Sequence, residues 1–396
     1  GDVETADHTQ AIHDFKADKR DLAVISLIAN KIPLGAATHE LLTSLAPQGT
    51  VETITAHWRG YLDAPTALTA KGLIKDVQIS AHRQTAQVGA GIDAHEAIGR
   101  PGFRGASIDF DMSLAGGKAK IAIDKGMLEL PGVFEDTVIP VEQLSSDVVW
   151  KITQPLNTIK AKVAATQGNK IEVIVNKLSF KNADTQGTAQ LTWRTSDPAT
   201  AMNKSRFPGV LDLTAKLGQS ELAKVARYLP TGIPKKARDY VRDLLVAGTA
   251  SEVDFRIKGE VWNIPAAKPI QGDFRVAAKF NNAHIAYVPK RLLAAGDLPW
   301  PELHKVNGEV VIDRTSLTVK STSAEILGLP GIAVAQSVVT IPDLSLAVVN
   351  VALQGKSPMT EVLSFVNKSP LYGITSQTLS RTTATGAGDF KVDLSL

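Results

Sequence analysis

The stretch from Glu221 to Pro265, ELAKVARYLPTGIPKKARDYVRDLLVAGTASEVDFRIKGEVWNIP, decides the fold because a helix pattern in it changes directly into a strand pattern. After Pro234 the apolar residues recur at a helical period of 3.6 and form one stripe. Pro234 suits a first helical position, and Gly248 suits a left-handed residue at the C-terminal end of a helix. We therefore predict a helix at about residues 234–247.

The period falls to two immediately after this helix. Apolar and charged side chains alternate along residues 253–258, in the order Val253, Asp254, Phe255, Arg256, Ile257 and Lys258. Successive side chains of a strand point to opposite faces of a sheet, so this alternation predicts a strand with one apolar face and one polar face.

The order of proline, helix, glycine and strand occurs three times, which predicts a repeat array. Its first copy runs from Pro33 to Gly49 with a helix at about residues 34–46, and its third runs from Pro370 to Gly386. Gly248 follows Gly49 by 199 positions, and the two Leu-Pro-Gly segments at residues 130–132 and 329–331 have the same separation.

We predict three repeat units, at residues 1–220, 221–358 and 359–396, the last being the truncated start of a third unit. Stacked repeats do not each need a closed core, so one continuous elongated body is expected rather than separate globular domains. The alternating pattern also continues to Leu396. The chain is therefore expected to be an internal piece of a longer protein.

Between the predicted helices the chain reads as about 18 to 20 short antiparallel strands. Almost every strand has one apolar face, and three helices are too few to cover so many strands. The sequence thus predicts a mainly β fold: an elongated antiparallel sheet that curls into a groove, or gutter, with a few short amphipathic helices. The helix at about residues 234–247 is expected to pack on a sheet edge or to gate the gutter.

Composition excludes several classes of protein. The 43 Lys and Arg residues balance 40 Asp and Glu residues, so no concentrated basic surface for nucleic acid is expected. The chain has no cysteine, which excludes a disulfide scaffold and a cysteine nucleophile. No apolar run approaches the roughly 18 residues of a membrane-spanning helix.

Catalytic signatures are missing from the sequence as well. The eight histidines show no paired spacing for a metal, and no nucleophile elbow or phosphate-binding glycine loop is present. Asp109 and Asp111 lie on one strand face, where alternating aspartates are ordinarily solvated. We expect neither an enzyme nor a cofactor or metal site.

Two interpretations of the apolar strand faces remain open. The faces could pack on one another as closed sandwiches without a ligand. Alternatively, they could form a groove that stays open and holds acyl chains, since a large exposed apolar surface needs a ligand or partner. Periodicity alone does not separate these two structures.

The segments YLPTGIPKKARDYVRDLLVAG, GEVWNIP and LPWPELHKVNGEVVID occur in an order that resembles the YhdP branch of the AsmA-like family. The resemblance covers most of the chain through its three copies. It implies the periplasm of a Gram-negative bacterium and an inner-membrane anchor outside this chain. It also implies a long β-groove that conducts phospholipids between the inner and outer membranes. Phospholipid acyl chains are then the expected ligand, and outer-membrane or other envelope proteins are possible partners.

Under this interpretation, thirteen residues are predicted to line the lipid groove, although each also fits ordinary sheet core. They are Ile108, Phe110, Met112, Leu114, Leu191, Trp193, Val253, Phe255, Ile257, Phe274, Val276, Phe280 and Val310. The alternative function is a structural or interaction protein of the envelope, either a spacer with a closed core or an outer-membrane assembly factor that uses a sheet edge as a template.

Overall fold

The computed structural model describes residues 11–31, 36–61, 63–84, 97–154, 168–201, 204–264, 272–344, 346, 348–375 and 377–396. In this part of the chain the fold is mainly β, with one large antiparallel sheet of 17 strands that is not closed into a barrel. Two further strands form a small separate sheet. The predicted mainly β fold with few short helices is confirmed.

Nineteen strands are found in the described residues. They are β1 (Ile12–Asp21), β2 (Gln48–Arg59), β3 (Ala67–Ile79), β4 (His82–Gln84), β5 (Ala97–Arg100), β6 (Gly102–Ser113), β7 (Gly116–Glu129), β8 (Val138–Thr153), β9 (Lys170–Lys181), β10 (Gln186–Arg194), β11 (Val210–Leu217), β12 (Ser220–Glu221), β13 (Leu245–Glu260), β14 (Asp273–Ile285), β15 (Leu303–Asp313), β16 (Ser316–Ile326), β17 (Leu329–Ile341), β18 (Asn350–Pro358) and β19 (Ala387–Ser395).

The helices of the same residues are short. The α-helices are α1 (Leu22–Ala29), α2 (Ala36–Leu45), α3 (Lys235–Leu244), α4 (Met359–Asn367) and α5 (Leu371–Ile374), and the 3₁₀ helices are Leu222–Tyr228, Val261–Asn263, Lys290–Leu292 and Thr378–Arg381. The helices predicted at about 34–46 and 234–247 correspond to α2 and α3.

The chain divides into two compact modules. The first module comprises Gly1–Ala183, Gly187–Leu213 and Glu260–Trp262, and the second comprises Asp184–Gln186, Thr214–Gly259 and Asn263–Leu396. The first contains α1, α2, β1 to β9 and most of β10. The second contains α3 to α5, β12, most of β13 and β14 to β19.

Strands that follow one another in sequence also pair in space. In the first module the antiparallel pairing runs β1–β2–β3–β6–β7–β8–β9. In the second module it runs from β13 to β19 without a crossover. Each module is therefore a meander in which neighbouring strands are joined by local connections.

Helices join paired antiparallel strands at three places. Helices α1 and α2 lie between β1 and β2, the helix Leu222–Tyr228 and α3 lie between β12 and β13, and α4 and α5 lie between β18 and β19. The carbonyl of Leu45 accepts a hydrogen bond from the Ser80 amide at 2.9 Å, and the carbonyl of Leu244 accepts one from the Ala286 amide at 2.9 Å. The last residue of α2 is thus bonded to the residue that follows β3, and the last residue of α3 is bonded in the same way to the residue that follows β14.

The predicted helix cap at Gly248 is wrong. Helix α3 ends at Leu244 and β13 begins at the next residue, so Gly248 lies inside a strand. Its φ is +115°, and a Cβ there would stand 2.7 Å from Cα of Ala283. Gly49 has a φ of +142° and lies in β2, where a Cβ would stand 2.8 Å from the carbonyl oxygen of Lys75. Both glycines are required by irregularities in a strand and by close approach of a neighbouring backbone.

Two other sequence landmarks also differ from expectation. The segment Leu130–Gly132 forms a turn after β7, whereas Leu329–Gly331 begins β17, so the repeated tripeptide has two different structures. In the third copy the main helix, α4, begins at Met359 and precedes Pro370, which only starts the short α5. The repeat-unit boundaries themselves stay a prediction.

In each module, residues with positive φ interrupt two neighbouring strands. Asp76 and Gly105 have φ values of +52° and +82° in the first module, and Asn282 and Lys305 have values of +49° and +51° in the second. The pairing register shifts at or beside each position. These are β-bulges, and an extra residue reverses the alternation of faces beyond it. In β14, for example, residues 276, 278 and 280 share a face with residues 283 and 285.

Candidate functional site

The apolar face of the first module is built from rows of side chains that run across neighbouring strands. Two rows of directly paired residues define it: Ile54, Gly72, Phe110, Ala119, Val148 and Val175, and Ala56, Ala70, Met112, Gly117, Trp150 and Val173. Cross-strand neighbours in such rows contact one another and stabilise the sheet.

The second module repeats this construction. One row contains Ala278, Val310, Val319, Val339, Val351 and Leu394, and the next contains Phe255, Val276, Ile312, Leu317 and Ile341. Valine, isoleucine and leucine dominate these rows because branched side chains pack well on a pleated surface.

Burial divides each apolar face into two parts, which we name the closed half and the open half. In the first module the closed half is formed by residues that are 0–6 % exposed: Val51, Val77, Ala106, Ile123 and Val141. In the second module the corresponding residues are 0–8 % exposed: Ala250, Ala283, Val306, Ala324 and Val334. The open half consists of the rows described above, whose apolar side chains are nearly all only half-buried.

Helical segments cover the closed half of the second module. Leu222, at the start of its 3₁₀ helix, packs in one cluster with Ala250, Ala283 and Val306. Phe365 of α4 packs on the buried residues at the end of β16 and the start of β17, namely Ile326, Leu329 and Ile332. A helix or 3₁₀ segment therefore closes one end of this face.

Aromatic side chains at the closed half support the connection between β14 and β15. The rings of Tyr287 and Trp300 lie 6.3 Å apart, and those of Trp300 and Phe365 lie 6.4 Å apart. The Tyr240 hydroxyl donates a hydrogen bond of 2.9 Å to the Tyr287 carbonyl. Burial raises the pKa of Tyr287 to about 12 and also raises the pKa of Tyr240. Both side chains are structural, because Tyr287 packs on Trp300 and the Tyr240 hydroxyl is bonded to the Tyr287 carbonyl.

Glycines in the apolar rows lie beneath large neighbouring side chains. The ring of Phe280 reaches to 2.8 Å from the position of a Cβ on Gly308, and the ring of Phe390 to 2.7 Å from that on Gly355. In the first module the indole of Trp150 reaches to 2.6 Å from the corresponding position on Gly117. Each aromatic ring therefore fills the space above a glycine of the neighbouring strand, where a larger residue would have a side chain.

The other face of the sheet is mainly polar, and its charges alternate from strand to strand. Asp109, Lys120, Asp147 and Lys177 form one row in the first module, and Lys279, Glu309 and Lys320 form one in the second. Lys279 Nζ lies 2.6 Å from Glu252, and this carboxylate raises the pKa of the lysine. Water is the natural environment of this face, so only the apolar face is a candidate for an apolar ligand.

The predicted lining residues fall on both halves of the apolar face. Within the second module, Val253, Phe255, Val276, Phe280 and Val310 belong to one apolar cluster, in which Val253 and Phe280 are 6 % exposed. Ile257 is paired with Phe274, which is 8 % exposed. Val253, Phe274 and Phe280 are thus too deeply buried to offer surface to a ligand without rearrangement.

The predicted residues of the first module are half-buried. Ile108, Phe110 and Met112 lie on β6 in the apolar rows, whereas Leu114 lies in the turn after β6. Leu191 and Trp193 lie on β10. The Trp193 indole donates a hydrogen bond of 2.7 Å to the Pro208 carbonyl and stacks on Phe207 at a centroid distance of 6.1 Å.

Several residues of the open half were missed by sequence reasoning. They are Val148, Trp150, Val173, Val175, Val319, Val339 and Val351. Alternation was a usable signal for Val319, which lies between Thr318 and Lys320. It failed for Val148, because Val149 and Trp150 follow it and both faces of β8 are apolar there.

The histidine and acidic side chains noted in the sequence lie in pairwise contacts in the described residues. No group of three or more His, Asp or Glu side chains there could hold a metal ion. Asp109 and Asp111 lie opposite Lys120 and Lys118 on the polar face. His57 contacts Asp14 in an exposed pair, and His284 lies 2.6 Å from Glu302. No helix among the described residues is long and apolar enough to cross a membrane.

The fold and this face define a class of mainly β proteins in which one antiparallel sheet keeps part of an apolar face half-exposed. The chain belongs to the YhdP family, whose model, described as YhdP protein, matches residues 4–396. No curated protein and no solved structure matches the chain significantly. The family is associated with the cell envelope, and membership suggests a function related to lipid transport there.

Proposed function

We propose that this chain is a periplasmic segment of a Gram-negative lipid-transfer protein, which conducts phospholipids between the inner and outer membranes. The acyl chains lie on the open half of the apolar face. The observation that carries this proposal is the contrast between the two halves. The closed half is buried in each module, in the second module beneath helical segments, whereas the aliphatic rows of the open half stay half-exposed.

The physical basis is the hydrophobic effect. Acyl chains that lie on the valine and isoleucine rows remove apolar surface of both partners from water, at about 25 cal/mol per Å². The rows present few polar groups, so no single position holds the lipid tightly and movement along the sheet requires no chemical step. We propose accordingly that the chain is not an enzyme, and that the headgroup stays in water. An inner-membrane anchor and envelope proteins are the proposed partners at either end.

The test uses two adjacent valines that differ mainly in the face they occupy. Val148 is paired with Ala119 and Val175 in an apolar row, whereas Val149 is paired with Lys118 on the opposite face, and both are half-buried. Lipids are extracted from the purified chain and from its Val148→Glu and Val149→Glu variants. The bound phospholipid is then quantified by mass spectrometry. We expect co-purified phospholipid on the parent and on Val149→Glu, and at least a fivefold loss on Val148→Glu.

The second module offers the same comparison, with Val310 on the apolar row and Val311 on the opposite face. Circular dichroism checks that each variant is folded. A folded parent that carries no phospholipid after detergent-free purification would contradict the proposal. Equal loss from both members of a pair would also contradict it, because the apolar face would then have no special role.

A further inference from the structure

Four of the five tryptophans of the chain belong to the first module. Trp58, Trp150 and Trp193 lie on β2, β8 and β10. Trp262, in the 3₁₀ helix after β13, is 36 % exposed. The fifth, Trp300, lies between β14 and β15 and packs at the closed half of the second module. Indole rings on the strands are therefore a feature of the first module.

Two of these tryptophans lie on the apolar face at the end away from the closed half. Trp150 is paired with Gly117 and Val173, in the second of the two apolar rows of this module. Trp58 follows Ala56 of the same row by two residues, so it lies on the same face and one row nearer the end of the strands. Both rings are half-buried. They therefore border the open half.

Trp193 continues this border on β10. The Thr195 amide donates a hydrogen bond of 3.0 Å to the Ile171 carbonyl, and the Ile171 amide donates one of 3.2 Å to the Thr195 hydroxyl. Because Ile171 lies two residues from Val173, the alternation of an antiparallel pair places Trp193 beside Val173. Trp150 and Trp193 thus lie on either side of β9 in one row.

A basic residue follows each of these three tryptophans in the sequence. These residues are Arg59, Lys151 and Arg194, and all three are exposed. An acidic residue, Glu172, lies opposite Lys151 in the register of β8 and β9. Tryptophan beside lysine or arginine is typical of the boundary between hydrocarbon and water, because the indole has an apolar body and a polar N–H and the cation attracts phosphate.

The depth of the open half fits the length of an acyl chain. Ile108 packs against the buried residues of the closed half, and Met112 lies in the row of Trp150. These two residues are four positions apart on β6, which is about 14 Å along a strand. The acyl layer of one membrane leaflet is about 15 Å thick, half of a hydrocarbon core of about 30 Å. An acyl chain that follows the strands therefore reaches from the tryptophans to the closed half.

We propose that Trp58, Trp150 and Trp193, which we name the tryptophan rim, set the depth at which a phospholipid lies on the first module. The ester groups lie at the rim, the methyl ends of the acyl chains lie at the closed half, and the phosphate lies among the cations that follow the rim. This inference rests on the proposed function, to which it adds the orientation of the lipid and the residues that determine it.

Fluorine NMR of the whole chain tests this orientation. The chain is labelled with fluorotryptophan, and its five signals are assigned by single tryptophan-to-phenylalanine variants. It is then incubated with phospholipid that carries a nitroxide either near the ester end or near the methyl end of an acyl chain. We expect the three rim signals to lose at least threefold more intensity with the ester-end nitroxide. The Trp300 signal should show no preference for the ester-end nitroxide.

A matched pair of variants tests the contribution of the indole. Trp150→Leu removes a ring of the rim, whereas Phe110→Leu removes an aromatic ring one row nearer the closed half, where Phe110 is paired with Gly72 and Ala119. Bound phospholipid should fall at least threefold in Trp150→Leu and stay within twofold of the parent in Phe110→Leu, because only the indole has a polar N–H. Circular dichroism checks folding, and Trp58→Leu replaces Trp150→Leu if the latter does not fold.

The outcomes separate this inference from the proposed function. Bound phospholipid with equal loss of the rim signals from both nitroxides, or with larger loss from the methyl-end nitroxide, would overturn the orientation and leave the proposed function in place. Equal binding by the parent and Trp150→Leu would overturn the role of the rim in the same way. A folded parent that carries no phospholipid would contradict both.

Discussion

Phe280 lies directly opposite Gly308 in the register of β14 and β15, and its ring covers the glycine. A Cβ on Gly308 would stand 2.8 Å from Cζ of that ring and 2.1 Å from the carbonyl oxygen of Lys320. The ring could turn aside, but the carbonyl belongs to the paired backbone of β16. Gly308 is therefore required by close packing on two sides.

We predict that Gly308→Ala lowers the free energy of unfolding by about 1–3 kcal/mol, the usual cost of overpacking a core. Urea denaturation of the chain measures the change. Gly373→Ala is the matched control, because a Cβ there meets nothing within 4 Å. A loss at Gly373 equal to that at Gly308 would show that close packing is not the cause.

Arg100 holds the end of α2. Its guanidinium donates hydrogen bonds to the Ser44 hydroxyl at 2.9 Å, to the Ser44 carbonyl at 2.6 Å and to the Ser80 carbonyl at 3.3 Å. We predict that Arg100→Met destabilises α2 by about 2 kcal/mol, the scale of hydrogen bonds from a charged donor. Hydrogen exchange of residues 42–46 should accelerate. Arg104→Met, on an exposed arginine of β6, should leave that exchange unchanged.

Tyr287 makes stability depend on alkaline pH. Its folded pKa of about 12 lies above the ordinary value of 10, so the folded chain holds the phenolic proton that the unfolded chain releases. The stabilisation is complete below pH 10 and is lost as pH rises from 10 to about 12. Tyr287→Phe should therefore show a smaller decrease in the free energy of unfolding between pH 9 and pH 11.5. An identical decrease in parent and variant would contradict this.

Asp239 is predicted to titrate at an unusually acidic pH. Its carboxylate accepts hydrogen bonds from Lys235 Nζ at 2.7 Å and from Arg242 at 2.8 Å, and the Lys235 bond is the main cause that lowers its pKa below 3.8. The resulting stabilisation is present above the unfolded pKa and is lost as pH falls through the folded value. Carbon NMR of the carboxylate measures the pKa directly. In Lys235→Met the pKa should move up towards 3.8, whereas Lys236→Met should not change it.

Ser321 and Ser337 form a hydroxyl pair in the apolar face, with an Oγ–Oγ distance of 2.6 Å. Ser321 is 6 % exposed. Either single change to alanine leaves one hydroxyl without this partner, so each should cost about 1 kcal/mol. The double variant should cost less than the sum of the two, by about 1 kcal/mol, in a double-mutant cycle. Strict additivity would mean that the hydroxyls do not stabilise one another.

Local periodicity was enough to predict the mainly β fold and the helices α2 and α3. Alternation at residues 253–258 and the helical stripe after Pro234 depend on which side of a short segment faces water, and such information lies within a few residues. The same information placed Phe110 and Met112 on an apolar face. It could not distinguish Phe110, which is half-buried, from Phe280, which is 6 % exposed, because burial at Phe280 depends on Leu222 and its 3₁₀ helix.

Bulges were the second source of error. Asn282 with a φ of +49° has a type that favours the left-handed region, but Lys305 at +51° gives no such signal. Alternation counted through Lys305 assigns residues on one side of it to the wrong face. Gly248 was misassigned for a related reason, since a left-handed glycine is common both after a helix and within an irregular strand.

The bulges have a consequence for how such a chain can change during evolution. On one side of Asn282 or Lys305, the strand residues must fit against the helical segments that cover them. On the other side, the strand residues need only be apolar. Because the side-chain period of a strand is two, a hairpin can gain or lose two residues in each of its strands beyond the bulges without turning over the buried side. The width of the apolar face can thus vary between relatives while the part that holds the helices stays fixed.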